Sequence, residues 1–442
     1  MVTNLFKKML YNGLFFRYHL LELKRNQWKT LDDLKHIQMK KLKAIITHAY
    51  THVPYYRQLF NSVKIKPEDI KDQDDLKKIP TTTKLDLQRN YSNVVMKGID
   101  ETRQLTVFTS GSTGIPLKIV MSPRDVAYQW TSSVYPFLEC GVRLRDNFTS
   151  IYGLGESVIK RGMHPIFSGR FTETIIPVYE QQERIVNALK QINPDVVNTF
   201  PSVLSLLSSY DVSGINPRLI FTSGETLTQH CRDLVKHTFG LEIHNIYGSN
   251  EFDRLAFECD AHSGLHVITD YAFIEFIDEN GDSVSPGEQG EMLITGLTNR
   301  LMPLIRYRIG DIGVPSDEKC SCGRGWPLIK NIQGRADDFL VLPSGKRISS
   351  AWCHYLFGCD EIIKSNVSCI SQFQIIQEKR DRIVLKVIRG QNFDPKVLLK
   401  IKGNFETFFA KQAEDVEVII QLVDEIPMGS TGKRRALISK IK

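Results

Sequence analysis

Between about residues 100 and 330, short apolar runs alternate with amphipathic helical patterns. Residues 196–200 and 218–222 are predicted strands, and residues 183–192 and 227–238 are predicted helices between or after them. Parallel strands require crossover connections, which are usually helical. The alternation therefore predicts an α/β domain with largely parallel sheets.

The segments on either side follow different patterns. Residues 1–90 are predicted to be mostly helical, and the runs 273–277 and 291–295 predict antiparallel strands in a small β-subdomain at about 265–330. After Gly334, short strands and helices predict a compact α+β unit. The expected organisation is a helical part at 1–90, a large domain at 91–335 that includes the β-subdomain, and a C-terminal domain at 336–442.

The composition limits which kinds of protein this chain can be. The chain has 442 residues, 42% hydrophobic and 24% charged, which suits two or three globular domains. It contains no run of roughly 18 to 20 apolar residues, so no transmembrane segment is expected. Eight scattered cysteines favour a reducing compartment, and we expect a cytoplasmic protein. The net charge of +7 comes without a long basic stripe carrying aromatics, so nucleic acid is not an expected partner.

Two small-residue loops have phosphate-binding chemistry. In the first loop, glycines permit close approach while hydroxyls and backbone N–H groups can donate to phosphate oxygens. Its residues are Thr109, Ser110, Gly111, Ser112, Thr113 and Gly114, and they lack the Walker A pattern. In the second loop, Lys433 follows Gly432 in a Gly/Ser/Thr-rich segment. The alternative for the first segment is an ordinary surface loop, and the alternative for the second is a free basic tail.

Acidic motifs lie between those loops. Glu251 ends the run Tyr247, Gly248, Ser249, Asn250, and its carboxylate suits Mg²⁺, a cation that prefers oxygen ligands. Asp311 follows Gly310, and its two carboxylate oxygens suit a vicinal diol. Each acid is also compatible with an ordinary solvated turn.

Four residues have the ligand types of a zinc site. Cys259, His266, Cys320 and Cys322 could give a structural Cys₃His zinc site, with His262 as the alternative histidine. The Cys-x-Cys spacing is less usual than Cys-x₂-Cys. The alternative is four separate residues in a reducing compartment.

Taken in order, these motifs resemble the adenylate-forming superfamily, most closely its branch of phenylacetate–coenzyme A ligases and capsule-biosynthesis adenylate ligases. The resemblance implies a large N-terminal adenylate-forming domain and a small, mobile α+β lid domain. It also implies roles for single residues. Residues Thr109–Gly114 would hold the β- and γ-phosphates of ATP, Ser223, Gly224 and Glu225 would contact adenine together with Tyr247, Glu251 would bind Mg²⁺, and Asp311 with Arg335 would bind the ribose. Asn250 stands where the family has threonine.

In the family, Lys433 corresponds to the lysine on the mobile domain. Its ammonium would offset the charge that builds up when a carboxylate attacks the α-phosphorus. The domain is implied to rotate about a hinge near 338–341. The pocket for an apolar carboxylic acid would be lined by Tyr152, Phe200 and Tyr247.

The implied activity is activation of an aryl or other carboxylic acid by ATP, followed by transfer to coenzyme A. One alternative is transfer to a carrier protein, an amine or a sugar, or retention of the adenylated product. A second alternative is a nucleotide-binding relative without catalysis.

Overall fold

The computed structural model describes residues 2–101, 104–108, 117–143, 145–152, 172–178, 180, 182–208, 210–225, 227, 229–332, 339–349, 370–389, 393–426 and 437–441. Lys433, Arg335 and the loop at 109–114 lie outside these ranges, so their predicted roles stay predictions.

The N-terminal part is helical, as predicted. Its helices are α1 (Val2–Asn26), α2 (Leu31–His52), α3 (Pro54–Ser62), α4 (Lys84–Arg89) and α5 (Tyr91–Val94). Thr30 caps α2 by accepting a hydrogen bond from the Asp33 N–H at 3.2 Å. Pro54 starts α3 at a position where a missing N–H costs nothing. Apolar residues at helical spacing, including Leu42, Ile45 and Ala49, are buried along α2.

A hairpin and a large sheet follow. The hairpin consists of β1 (Leu105–Phe108) and β2 (Lys118–Met121), and α6 (Pro123–Glu139) follows it. The strands of the large sheet are β3 (Asn147–Tyr152), β4 (Thr172–Pro177), β5 (Val196–Thr199), β6 (Leu219–Ser223), β7 (Ile243–Ser249), β8 (Asp253–Glu258), β9 (Leu265–Val267), β10 (Ala272–Ile277), β11 (Gly290–Gly296), β12 (Tyr307–Ser316) and β13 (Leu328–Ile332). The helices between them are α7 (Gln182–Ile192), α8 (Pro201–Leu207) and α9 (Gln229–Phe239).

In the described part of the chain these strands form one sheet in the order β10-β11-β12-β13-β9-β8-β7-β6-β5-β3-β4. The neighbours from β4 to β7 pair in parallel, and the remaining pairs are antiparallel. The predicted pairing of the strands near 273–277 and 291–295 is confirmed, with Phe273 opposite Thr295. Strands β10 and β11 belong to the same sheet as the parallel strands, to which they are connected through β12, β13, β9 and β8.

The parallel strands are covered on both faces, as the predicted crossover helices require. On one face, Phe148 and Phe221 pack edge-on against Phe137 of α6, with ring centroids 5.3 and 4.8 Å apart. On the other face, Val197 and Ile220 join a buried cluster with residues of α7, α8 and α9. This packing buries both faces of the parallel strands.

The C-terminal unit has its own core. A hairpin of β14 (Phe339–Val341) and β15 (Arg347–Ser349) is followed by β16 (Ile370–Lys379), β17 (Arg382–Arg389), α10 (Pro395–Lys411), β18 (Glu417–Leu422) and β19 (Leu437–Ser439). The last four strands form a sheet in the order β18-β17-β16-β19 within the described residues. Ile375, Leu385, Phe405 and Phe409 are buried between the sheet and α10. The predicted α/β class, with a small C-terminal α+β unit, is therefore confirmed. Within the described residues the large sheet is mixed, with four parallel and six antiparallel pairs, where largely parallel sheets were predicted.

Across the described ranges, no helix combines the length and apolarity needed to span a bilayer.

Candidate active site and zinc cluster

Several of the predicted site residues that the structure describes lie at one edge of the large sheet. Strands β3, β5, β6 and β7 are parallel, so their carboxyl ends share that edge. The chain leaves β3 toward β4 on one side, whereas it leaves β5 toward β6 on the other. Such a topological switch point opens a crevice at the carboxyl ends of the strands, where α/β sheets bind their ligands.

Tyr152 and Phe200 lie at this switch point. Their rings meet edge-on with centroids 4.6 Å apart. The Tyr152 hydroxyl lies 3.2 Å from Asn198 Oδ1, to which it donates, and 3.0 Å from Ser223 Oγ. Burial raises the pKa of Tyr152 to about 12, so its hydroxyl stays protonated at neutral pH. The structure thus brings together two of the predicted pocket residues. It also places Asn198 beside them, a residue that the sequence reasoning missed because an asparagine inside a strand belongs to no motif.

The loop of Ser223, Gly224 and Glu225 directly follows β6. Gly224 has φ +84°, and a Cβ there would lie 3.0 Å from the Phe200 ring. Both the backbone conformation and the close approach require glycine. The predicted adenine-contacting loop is therefore packed against the aromatic pair.

The sheet curls so that β7 faces β12. The Tyr247 hydroxyl donates to Asp311 Oδ2 at 2.8 Å, although β8, β9 and β13 separate the two strands in the sheet. Four strand spacings in a flat sheet would put these strands about 19 Å apart, beyond the reach of the two side chains. The curl thereby joins the residues predicted to bind adenine and ribose. A carboxylate offers two oxygens with about four acceptor sites, so this type of group suits the ribose diol that Asp311 is predicted to bind.

Glu251 has a partner on β12 as well. The buried Tyr307 hydroxyl donates to Glu251 Oε1 at 3.1 Å. Tyr307 lies four residues before Asp311 on β12, and the pairing with β11 is irregular between them, where Gly310 has φ +87°. The sequence reasoning gave Tyr307 no role.

Asn250 connects this cluster to the hairpin. Its Nδ2 lies 3.4 Å from the carbonyl oxygen of Phe108, to which it donates. Phe108 directly precedes the predicted phosphate-binding loop at 109–114. Gly248 is fixed by crowding, because a Cβ there would lie 2.1 Å from the Asp253 carbonyl oxygen. Lys118, the lysine that closely follows the loop, pairs with Glu101 at 2.8 Å.

The four predicted zinc ligands also meet. The ligand atoms of Cys259, His266, Cys320 and Cys322 all lie within 4.8 Å of one another. The Sγ atoms of Cys259 and Cys320 are 3.6 Å apart, and Cys322 Sγ is 3.3 Å from His266 Nε2. A tetrahedral site with zinc–sulfur bonds of 2.3 Å has sulfur–sulfur edges of about 3.8 Å. The donor set therefore fits a tetrahedral zinc ion.

The surroundings of the cluster also suit a closed metal site. Burial lowers the pKa of His266 to about 4, so the imidazole is neutral, as a metal ligand must be. Its Nδ1 lies 3.4 Å from the Trp326 carbonyl oxygen, which would fix the tautomer that leaves Nε2 for the metal. The alternative residue, His262, lies instead 3.6 Å from Glu258. The geometry favours His266 as the fourth ligand.

Known proteins are similar to this chain over most of its length. The model of the CapK C-terminal domain matches residues 354–440. The phenylacetate–coenzyme A ligase of Escherichia coli (strain K12) is 30% identical over 328 residues, which cover 71% of this chain and 74% of the ligase. Protein CapK of Staphylococcus aureus is 21% identical, with 97% of this chain and 94% of CapK covered.

Solved structures show the same fold. 2-Hydroxyisobutyryl-CoA ligase, in complex with 2-HIB-AMP and CoA in the thioesterification state, superposes with a TM-score of 0.65 at 18% identity. The match covers 94% of this chain and 91% of that one. Together with the 30% identity above, this shows that the chain belongs to the adenylate-forming superfamily, in the branch of the phenylacetate–coenzyme A ligases and CapK.

Proposed function

We propose that this chain activates a carboxylic acid with ATP and transfers the acyl group to coenzyme A, giving an acyl thioester, AMP and pyrophosphate. The observation that carries the proposal is the convergence of two contacts, Tyr247 with Asp311 and Tyr307 with Glu251, at the carboxyl edge of the sheet. The identity with phenylacetate–coenzyme A ligases supports the choice of reaction.

Each residue has a defined task in this proposal. Asp311 accepts hydrogen bonds from the ribose hydroxyls, and the Tyr247 ring lies along adenine while its hydroxyl keeps Asp311 oriented. Glu251, oriented by Tyr307, would hold Mg²⁺, which when bound neutralises phosphate oxygens.

The first step needs no general base. The substrate carboxylate is already ionised at neutral pH. Its oxygen attacks the α-phosphorus, and pyrophosphate leaves with the electrons of the broken P–O bond. Lys433 would place its ammonium beside the new bond and stabilise the negative charge there. In the second step a thiolate attacks the acyl carbonyl and AMP leaves.

The acid is proposed to be apolar and aryl. Tyr152 and Phe200 form an aromatic corner at the switch point, and an aromatic acid could add a third ring at the 4.5–7 Å spacing such rings prefer.

A different acceptor of the acyl group, in place of coenzyme A, is also supported. The C-terminal residues 354–440 match the CapK domain, and the CapK relative covers 97% of the chain. Because the C-terminal domain would present the acceptor, transfer to a carrier protein, an amine or a sugar is the competing proposal.

The zinc cluster is proposed to be structural. Three thiolates and one imidazole would fill the four positions of a tetrahedral ion, leaving none for substrate. The site would tie the end of β8 and strand β9 to the loop before β13.

The test is ATP-dependent pyrophosphate release over a panel of aryl, indolyl, fatty and amino acids, with and without coenzyme A. We expect acid-dependent release, with an acyl thioester when coenzyme A is present. Lys433→Ala should lower release by about a hundredfold or more while nucleotide binding persists. Lys440→Ala, which removes an exposed lysine near Glu378, is the matched control.

The outcomes separate the candidates. Pyrophosphate release without a thioester would favour an acceptor other than coenzyme A. Unchanged release by Lys433→Ala would refute the role of that lysine. Nucleotide binding without release from any acid in the panel would contradict the proposed ligase and favour a relative without catalysis.

A further inference from the structure

Helix α1 presents an apolar stripe to solvent. Leu14, Tyr18 and Leu21 follow one another at spacings of four and three residues and are 63%, 62% and 67% exposed. Such spacing places them on one face of the helix. Trp28, which is 55% exposed, continues the stripe just beyond the end of the helix. We call these four residues the α1 stripe. It extends about 21 Å along the helix direction.

The stripe is bordered by positive charge. Arg17, Lys24 and Arg25 are exposed beside it. Residues 2–30 contain six lysines and arginines and one acid, Glu22. Glu22 faces the other way, because it pairs with Lys41 at 2.9 Å. The exposed part of α1 between residues 13 and 26 therefore combines apolar and basic side chains only. Beyond Trp28, the exposed Asp32 and Asp33 at the start of α2 mark the end of this basic region.

The opposite face fixes the helix to the protein. Phe16, His19 and Leu23 are buried, and the His19 ring stacks on Tyr128 of α6 at a centroid distance of 3.2 Å. Asn26 donates to Asp270 at 2.7 Å. The α1 stripe is thus held outward by a packed inner face.

We propose that the α1 stripe binds an anionic lipid surface, with the helix lying in the plane of the interface. Helices of this kind bury Leu, Tyr and Trp at the headgroup boundary while Lys and Arg contact anionic lipids. A second copy of the chain fits less well, because two copies of the stripe face to face would bring the basic borders together. The surface is independent of the nucleotide site described above.

The experiment is flotation of the full chain with vesicles. One set contains phosphatidylcholine alone, and the other contains equal parts of phosphatidylcholine and phosphatidylglycerol. We expect binding to the anionic vesicles only, weakened by high salt, because salt screens exposed charges. The emission of Trp28 should shift to the blue on binding, and this shift should be missing in Trp28→Phe.

Variants distinguish the contribution of the apolar side chains from that of the basic side chains. Leu14→Gln/Tyr18→Gln/Leu21→Gln should lower vesicle binding by about tenfold or more, since it removes the buried apolar area. Arg17→Gln/Arg25→Gln should lower it by about thirtyfold, because each basic residue near an anionic surface contributes about 1 kcal/mol. Leu399→Gln is the matched control, as Leu399 is 73% exposed on the lysine-rich helix α10.

Two results would overturn the proposal. One is a wild-type chain that floats with neither vesicle, or equally with both. The other concerns the triple variant, and it has two forms. The variant binds vesicles as the wild type does, or it sediments as a monomer where the wild type sediments as a dimer. The second form would make the stripe a contact between copies of the chain. The salt dependence of the wild type tests the electrostatic part even if a variant fails to fold.

Discussion

At the scale of single residues, two predicted acids of the nucleotide site, Asp311 and Glu251, each accept a hydrogen bond from a tyrosine. Tyr247 donates to Asp311 and Tyr307 donates to Glu251. A phenol gives one hydrogen bond without adding charge, so it can fix a carboxylate while leaving its negative charge available to a cation. The two tyrosines are therefore positioning residues for the proposed binding of ribose and Mg²⁺.

Removing the Tyr307 hydroxyl tests this role. Tyr307→Phe keeps the buried ring but leaves Glu251 without this donor. Groups that orient metal ligands typically change metal affinity by 10- to 100-fold, so we expect the Mg²⁺ concentration for half-maximal pyrophosphate release to rise about tenfold. A Mg²⁺ titration of initial rates measures the effect.

The control removes a hydroxyl from an equally buried tyrosine outside the site. Tyr56 donates to the Pro303 carbonyl at 2.9 Å and accepts from the Ile305 N–H. Tyr56→Phe should lower the free energy of unfolding by about 1 kcal/mol and leave the Mg²⁺ dependence unchanged. Equal effects of both variants on the Mg²⁺ dependence would mean that Tyr307 has a structural role only.

At the scale of elements, strand β14 is fixed to the C-terminal unit. The Val341 N–H donates to Gln377 Oε1 at 2.9 Å, and Gln377 Nε2 donates to the Val341 carbonyl at 2.7 Å. Ser439 donates to the same Oε1 at 2.8 Å. The predicted hinge was placed at 338–341, but these bonds make Val341 part of the C-terminal packing. The hinge stays a prediction, since residue 338 lies outside the described ranges.

Gln377→Leu tests this connection. The change removes the buried Gln377 amide that pairs with the part-buried Val341 N–H and carbonyl, and each buried group left unpaired costs about 1–3 kcal/mol. We expect amide hydrogen exchange in β14 and β16 to accelerate by about thirtyfold or more, since about 2 kcal/mol corresponds to that factor. Gln421→Leu, at an exposed position of β18, should leave the exchange rates unchanged. Retained protection of β14 in Gln377→Leu would show that other contacts hold the strand.

At the scale of the whole molecule, the sequence predicted the elements better than their arrangement. Apolar runs at 196–200 and 218–222 gave strands β5 and β6 because parallel strands are buried on both faces. The curl that brings β7 to β12 was not predictable, because it depends on pairings between distant strands and not on local patterns. Motif order singled out Glu251 and Asp311, whose roles stay predictions, whereas their neighbour Tyr307 and the contact of Asn198 with Tyr152 became evident only from the folded geometry.

The zinc cluster makes a prediction about the stability of the whole chain. It joins Cys259 to Cys320 across 61 residues of sequence, so a bound ion would close a long loop. Purified protein should contain about one equivalent of zinc, and a strong chelator should lower Tm by about 5 °C or more. Cys320→Ser/Cys322→Ser should lack zinc and show the lower Tm without chelator. Cys231→Ser, which alters a buried thiol outside the cluster, should retain the metal. A wild-type chain purified without chelator that holds no zinc, and whose Tm does not respond to added zinc, would refute the structural site.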